Sequence, residues 1–291
     1  MDGPANITGE VCGHEVMARR WPEGAPVGGT PLLEVRDLSL RFGGIRTLSD
    51  VSVTVTKSEI LSVIGPNGAG KTSLFTCISG AYIPGAGKIL FEDRDITAVS
   101  SAGRAGLGIG RTFQNLALFG QMTVLENILV GRHRLMRGNL LTGAIYWAGG
   151  ARTEEIVHRR AALAIMECLG ITSVQHRPAN TLPYGMRKRV ELARAVAMEP
   201  KLLLLDEPMA GMSQQEKHVM AQHVTAIARE WGITVLMIEH DMAAVARMSQ
   251  PQDGGLCRHH PVEGAASNRG LLETCIRAHP NFAIRARPRD L

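Results

Sequence analysis

The sequence predicts an α/β fold, a parallel β-sheet with helices on both faces. Three observations carry this. Short apolar runs of strand length, Ile60–Ile64, Leu202–Leu205 and Thr234–Ile238, suit strands buried on both faces. Long helical stretches separate these runs, so strand and helix alternate along the chain. A glycine-rich turn also follows the first run and opens a helix.

Taken in order, residues 1–31 are rich in Gly and Pro without periodicity and read as a disordered extension, with Met17 as an alternative start. Leu32–Phe42, Leu48–Val55 and Lys88–Phe91 read as strands, with Val51, Val53 and Val55 alternating against Ser52 and Thr54. Thr72–Ser79 reads as the helix after the glycine-rich turn. Thr153–Leu169, Arg187–Met198, Ser213–Trp231 and Asp241–Met248 read as the later helices. Residues 249–291 break the pattern, with no Lys but six Arg, three His, two Cys and four Pro. No strand-like alternation is read over Ser249–Asn268.

Composition narrows the function. The 291 residues are 45% hydrophobic and 20% charged, which is ordinary for a soluble globular chain. Aromatics are only 4%, which argues against a nucleic-acid module built on stacking platforms, so no nucleic-acid partner is expected. The net charge of +5 comes mainly from residues 32–248, with 24 Lys and Arg against 19 Asp and Glu. The five cysteines are scattered and contain no CxxC pair, as in a reduced, cytosolic chain. No apolar run approaches the roughly 18–20 residues that cross a bilayer, and no secretory signal is read. The expectation is a protein that docks on a membrane assembly without spanning it.

Gly65-Pro66-Asn67-Gly68-Ala69-Gly70-Lys71-Thr72 fits G-x-x-x-x-G-K-[ST] between a strand and a helix. Glycines let backbone N–H groups curl around a phosphate, and the helix N-terminus adds partial positive charge there. Lys71 supplies charge to the β/γ-phosphates, Thr72 a hydroxyl for Mg²⁺, and Ser73 continues the cradle. Later, Leu202–Leu205 ends in Asp206 and Glu207. A carboxylate at a strand tip serves a metal shell, and its neighbour polarises an attacking water.

A P-loop alone permits kinases, GTPases, helicases and transport ATPases. The remaining motifs resemble the ATP-binding cassette (ABC) ATPases over roughly residues 32–248. Leu182-Pro183-Tyr184-Gly185-Met186 and the helix after it resemble the family's signature segment. Arg111-Thr112-Phe113-Gln114 resembles the Q-loop, Ala210–Ser213 the D-loop, and Ile238-Glu239-His240-Asp241 the switch. Phe42 lies 29 residues before Lys71, where the family places an aromatic that stacks on adenine. No NKxD-like guanine motif favours a GTPase. Arg111–Phe119, Met122–Gly131 and an insert containing Leu140–Trp147 are similar to the ATPase subunits of branched-chain amino acid importers.

The resemblance implies a P-loop, RecA-like core, an antiparallel β subdomain, and an inserted helical subdomain at about 116–190. It implies ATP and Mg²⁺ as cofactors, with Thr72, Gln114 and Asp206 serving the metal. Glu207 would be the catalytic base, His240 would steady the transferring phosphoryl group, and Gln114 would couple to partners. Tyr184 and Gly185 would complete the site of a second ATPase subunit. Membrane permease subunits, and indirectly a solute-binding protein, would be the other partners, at the cytoplasmic face of the inner membrane. A related importer of urea or another small solute, or a non-hydrolysing subunit, stays open as an alternative.

Two features depart from the family. The signature carries Pro183 where serine is usual, and proline cannot donate that serine's hydrogen bond. Leu-Pro-Tyr-Gly is nonetheless a variant of this importer subgroup, and backbone donors near Gly185 with the helix dipole from Arg187 onward still suit a phosphate. In 249–291 the family's strand continuation is missing. Cys257, His259, His260, Cys275 and His279 lack the paired CxxC half of a zinc site. A frameshift near residue 249 is the reading of this tail, and the coding DNA read one base later should encode a strand-like continuation.

Overall fold

A computed structural model describes residues 30–65, 68–112, 117–136, 150–240, 256–260 and 274–279. Along the chain run β1 (Pro31–Phe42), β2 (Ile45–Thr56), β3 (Ile60–Ile64), α1 (Lys71–Ile78), β4 (Ala86–Phe91), β5 (Arg94–Asp95), α2 (Ser101–Leu107) and β6 (Ile109–Arg111). Then follow α3 (Val124–Arg132), α4 (Gly150–Cys168), α5 (Tyr184–Val196), β7 (Leu202–Asp206), α6 (Gln214–Glu230), β8 (Thr234–Ile238), β9 (Leu256–His260) and β10 (Thr274–His279). One sheet has order β2-β1-β4-β5 and is antiparallel. The other has order β6-β7-β8-β3-β10-β9, and β6, β7, β8 and β3 run parallel.

The parallel sheet follows from the apolar runs. In β7, Leu202 and Leu204 pack with Leu61 and Val63 of β3 into a core shared with α1 and the antiparallel sheet. Leu203 and Leu205 point to the opposite face, where α3, α4, α5 and α6 pack. The side chains alternate with the two-residue period of a strand, and both sets are buried, hence the unbroken leucines.

β3 and β8 have the bounds that the sequence predicts, and β7 is one residue longer, ending on Asp206. Helix α5 starts at Tyr184, three residues before the predicted Arg187, because Pro183 in extended conformation forms its N-cap. The helix also runs past 190 to Val196, so the expected edge of the helical subdomain falls inside α5. Sequence reading missed α2, β5, β6 and α3. β6 has three residues and α2 contains Gly103 and Gly106, so neither shows a period. Helix α3 did carry a signal, a capping box in which Thr123 and Glu126 satisfy each other's backbone N–H groups.

The tail departs from expectation. β10 pairs antiparallel with β3, from Thr274 opposite Ile64 to Ala278 opposite Ile60, and β9 pairs with β10. The physical reason is that β3 would otherwise present a row of unpaired backbone groups at a sheet edge. Residues 1–29, the insert segment Leu140–Trp147 and the stretch Asp241–Met248 lie outside the described residues.

Two buried polar side chains fix the loops around the core. The Arg104 guanidinium, 0% exposed, lies against the C-terminal end of α1. It donates to the carbonyls of Cys77 and Ile78 there, and to Thr97 and Val99 beside it. Cys77 and Ile78 are in the last turn of α1, where carbonyls lack intrahelical N–H partners, and a cation suits that end of the helix. Asn127, also buried, accepts from Phe119 N at 2.9 Å and donates to the carbonyls of Phe119, Met122 and Thr123. Its amide closes the turn that leads into α3.

Candidate nucleotide site

The parallel strands end at one edge of the sheet, and the chemistry collects there. Asp206 is in register with Ile238, so β7 and β8 finish level. The next backbone group, Glu207 N–H, donates to Ile238 O at 3.1 Å. That bond accompanies a left-handed backbone at Glu207, with φ of 49°, which a non-glycine residue rarely adopts. The bend turns the Glu207 side chain to His240, where Oε1 lies 2.9 Å from Nε2.

A cleft of about 700 Å³ opens beside this pair, lined by Thr47, Gly68, Ala69, Gly70, Lys71, Thr72, Ser73, Glu207 and His240. Its floor is the start of α1. Gly70 is the N-cap with φ of 83°, a conformation that glycine adopts without a Cβ penalty. No side chain caps the helix, so the N–H groups of its first turn are left for an anion. Lys71 is 5% exposed and donates from Nζ to Gly65 O at 2.6 Å. Burial lowers its pKa, against the opposing pull of Glu207 and Asp206.

Asp206 is 1% exposed. Its Oδ2 accepts from Arg111 Nη2 at 3.1 Å, while Oδ1 has no hydrogen-bond partner among the described residues. Burial raises its pKa and the Arg111 guanidinium holds it back down. An unsatisfied buried oxygen on Asp206 and the Thr72 hydroxyl in the cleft form a hard-oxygen donor set, which fits Mg²⁺. The structure thus groups Gly68, Ala69, Gly70, Lys71, Thr72, Ser73, Asp206, Glu207 and His240. Pro66, Asn67 and Gln114 lie outside the described residues.

Three predicted residues sit elsewhere. Phe42 is 42% exposed and packs edge to face on Tyr82, with centroids 4.9 Å apart. On this side Thr47 lines the cleft in place of Phe42. Tyr184 and Gly185 open α5 and pack on the segment after Glu207. A Cβ at Gly211 would lie 3.2 Å from the Tyr184 ring, and one at Gly185 would meet the Glu216 carboxylate.

Sequence reading gave no role to Thr47, Arg111 or Glu239. The Glu239 carboxylate is buried and accepts from Met209 N at 3.0 Å, tying the chain after Glu207 to the chain before His240. Burial raises its pKa, against the backbone N–H groups of Met209 and His240. Adjacency to His240 was the available signal for it. Arg111 had none, because its partner Asp206 is 95 residues away.

Known proteins resemble the chain over most of its length. A profile of the ABC transporter family matches residues 48–210. The high-affinity branched-chain amino acid transport ATP-binding protein BraF of Pseudomonas aeruginosa is 39% identical over 219 residues, 75% of this chain and 86% of that protein. LivG of Escherichia coli, which bears the same description, is 37% identical with the same coverage. Among solved structures, the ADP conformation of MJ1267, an ATP-binding cassette of an ABC transporter, superposes with a TM-score of 0.65 at 33% identity. It covers 76% of this chain and 85% of that one. Since the family profile covers more than half of the chain and these relatives are covered over most of their length, the chain belongs to the ABC transporter family, as one of its ATP-binding cassettes.

Proposed function

We propose that the chain binds ATP with Mg²⁺ in the cleft and hydrolyses it to drive branched-chain amino acid import through membrane permease subunits. The observation that carries this reading is the Glu207–His240 pair, 2.9 Å apart at the mouth of a cleft floored by the uncapped start of α1. The relatives' descriptions as branched-chain amino acid transport ATP-binding proteins support the choice of solute.

The first-turn N–H groups of α1 and the Lys71 ammonium hold the β- and γ-phosphates. Glu207 accepts the proton of the attacking water. His240 fixes the Glu207 carboxylate through Nε2 and lies where charge develops on the γ-phosphoryl oxygens. Thr72, Gln114 and Asp206 are the residues that would hold Mg²⁺, which neutralises charge on the phosphoryl oxygens when bound. Phe42 lies outside the cleft lining and is exposed, so it would stack on an adenine that extends beyond the cleft. Two copies pair head to tail, so that Tyr184 and Gly185 of one cover the cleft of the other. In support, Pro183 leaves α5 without a side-chain cap, and Tyr184 stays exposed.

No helix among the described residues is long and apolar enough to cross a membrane. The reading places the chain as a peripheral subunit on the cytoplasmic side of its permease, by the transport role of the relatives. Its domain division is an extension at 1–31, an ATPase unit at 32–248 and a tail at 249–291. Sequencing the coding DNA tests the tail: a shifted frame without a strand-like continuation removes the frameshift.

Glu207→Gln tests the chemistry. It keeps size and hydrogen bonding but removes the base, so ATP turnover should fall at least about 10²-fold while ATP binding is retained. Turnover at the wild-type rate in this variant, with the permease subunits present, would remove Glu207 as the base. No turnover by the wild-type chain in the same assembly would favour a non-hydrolysing subunit.

A further inference from the structure

We propose that Arg111 is a positioning residue for the Mg²⁺–ATP site, setting both the direction of the Asp206 carboxylate and its distance from α1. This rests on the reading of the cleft as a Mg²⁺–ATP site. The guanidinium has two arms on two elements. Nη2 donates to Asp206 Oδ2 at 3.1 Å at the tip of β7. Nη1 donates to Ser79 Oγ at 2.9 Å, and Ser79 is the C-cap of α1.

The carboxylate of an aspartate turns about a broad torsion, so one bonded oxygen settles where the other lies. Here the Oδ2 bond directs Oδ1, the oxygen with no hydrogen-bond partner among the described residues. The next residue holds the same strand tip by its backbone. Thr112 Oγ1 accepts from Asp206 N at 3.4 Å, and Thr112 N donates to Leu204 O at 2.9 Å. Two consecutive residues of one short segment thus fix the side chain and the main chain of Asp206.

The metal donors belong to separate elements, Thr72 to α1 and Asp206 to β7. Arg111 joins the far end of α1 to the tip of β7. A planar fork is needed for this, because its two nitrogens reach two partners in fixed directions, whereas a lysine offers one point. Partners that orient metal ligands typically cost 10–100-fold in metal affinity when removed.

The test uses the full-length chain in a Glu207→Gln background, so that ATP is not consumed. ATP affinity is measured in excess Mg²⁺ and in EDTA, and the ratio gives the benefit of the metal. Arg111→Ala should cut that ratio about tenfold or more while affinity in EDTA stays within about twofold. Arg111→Lys should fall between Ala and the parent. Circular dichroism establishes that each variant is folded. An unchanged ratio in folded Arg111→Ala overturns the proposal, and so does an equal loss in EDTA, which marks a purely structural role. Should the alanine variant not fold, Arg111→Lys decides: a reduced ratio supports the proposal, and a ratio at the parent level overturns it. If the parent itself gains nothing from Mg²⁺, the Mg²⁺–ATP reading of the cleft fails, and the proposal with it.

Discussion

Replacing Arg104 by alanine should destabilise the chain by about 4 kcal/mol. The side chain is fully buried and its guanidinium donates to four carbonyls, those of Cys77, Ile78, Thr97 and Val99. Hydrogen bonds from charged donors contribute roughly 1.5–3 kcal/mol each, so the four sum to about 6–12 kcal/mol. The low end applies, because burying the cation also costs free energy that the alanine variant regains in part. A loss of about 4 kcal/mol corresponds to about 1 kcal/mol for each of the four carbonyls left unpaired. A domain stable by about 5–15 kcal/mol would survive, but with a much narrower margin. Urea unfolding of the full chain, followed by far-ultraviolet circular dichroism and extrapolated to water, measures the change. A loss below about 1 kcal/mol would mean that water or a shifted loop serves these carbonyls as well as Arg104 does, and the reasoning would be refuted. Arg104→Lys should lose less, since one ammonium still reaches some of the four.

Gly131→Ala should cost about 1–3 kcal/mol, because its Cβ would meet the Arg194 carbonyl oxygen on α5; a thermal melt within a degree of wild type would count against it. His223 should make stability fall in mild acid. Burial, then the charge of Arg189, lowers its pKa from 6.5 to about 4, so the neutral ring is the folded form. The unfolded chain binds this proton first, so the contribution is present above about pH 6.5, falls as pH drops towards 4, and amounts to at most about 3 kcal/mol. Urea midpoints at pH 7 and pH 5 should therefore differ less for His223→Gln than for wild type, and equal differences would remove His223 as the source.

What the sequence disclosed and what it hid differ in physical kind. β3 and β8 could be bounded from their residues because burial on both faces leaves a run of apolar side chains and little else. The positions of Lys71, Asp206 and His240 could be read because Asp206 ends such a strand, His240 lies two residues past another and Lys71 opens the helix after a third, so order along the chain becomes position along one edge. Arg111 and Asp206 instead meet across neighbouring strands 95 residues apart, and pairing at that separation leaves no local mark. Arg104 sits in a glycine-containing helix of seven residues, and its partners at the end of α1 lie 26 and 27 residues earlier in the chain. β9 and β10 have sequences without strand periodicity, and the pairing of β10 with the open edge of β3 gives them their form.

The left-handed backbone at Glu207 has a consequence for how this position came to be occupied. Folding alone would select glycine or asparagine there, since both adopt such a φ more cheaply than glutamate. A chain released from the need to turn over ATP would drift towards those residues and gain stability as it did so. On the proposed role of Glu207 as the base, glutamate is held there for its chemistry at some cost to the fold. The two pressures can be separated in a library at this codon, sorted once for folded protein and once for transport.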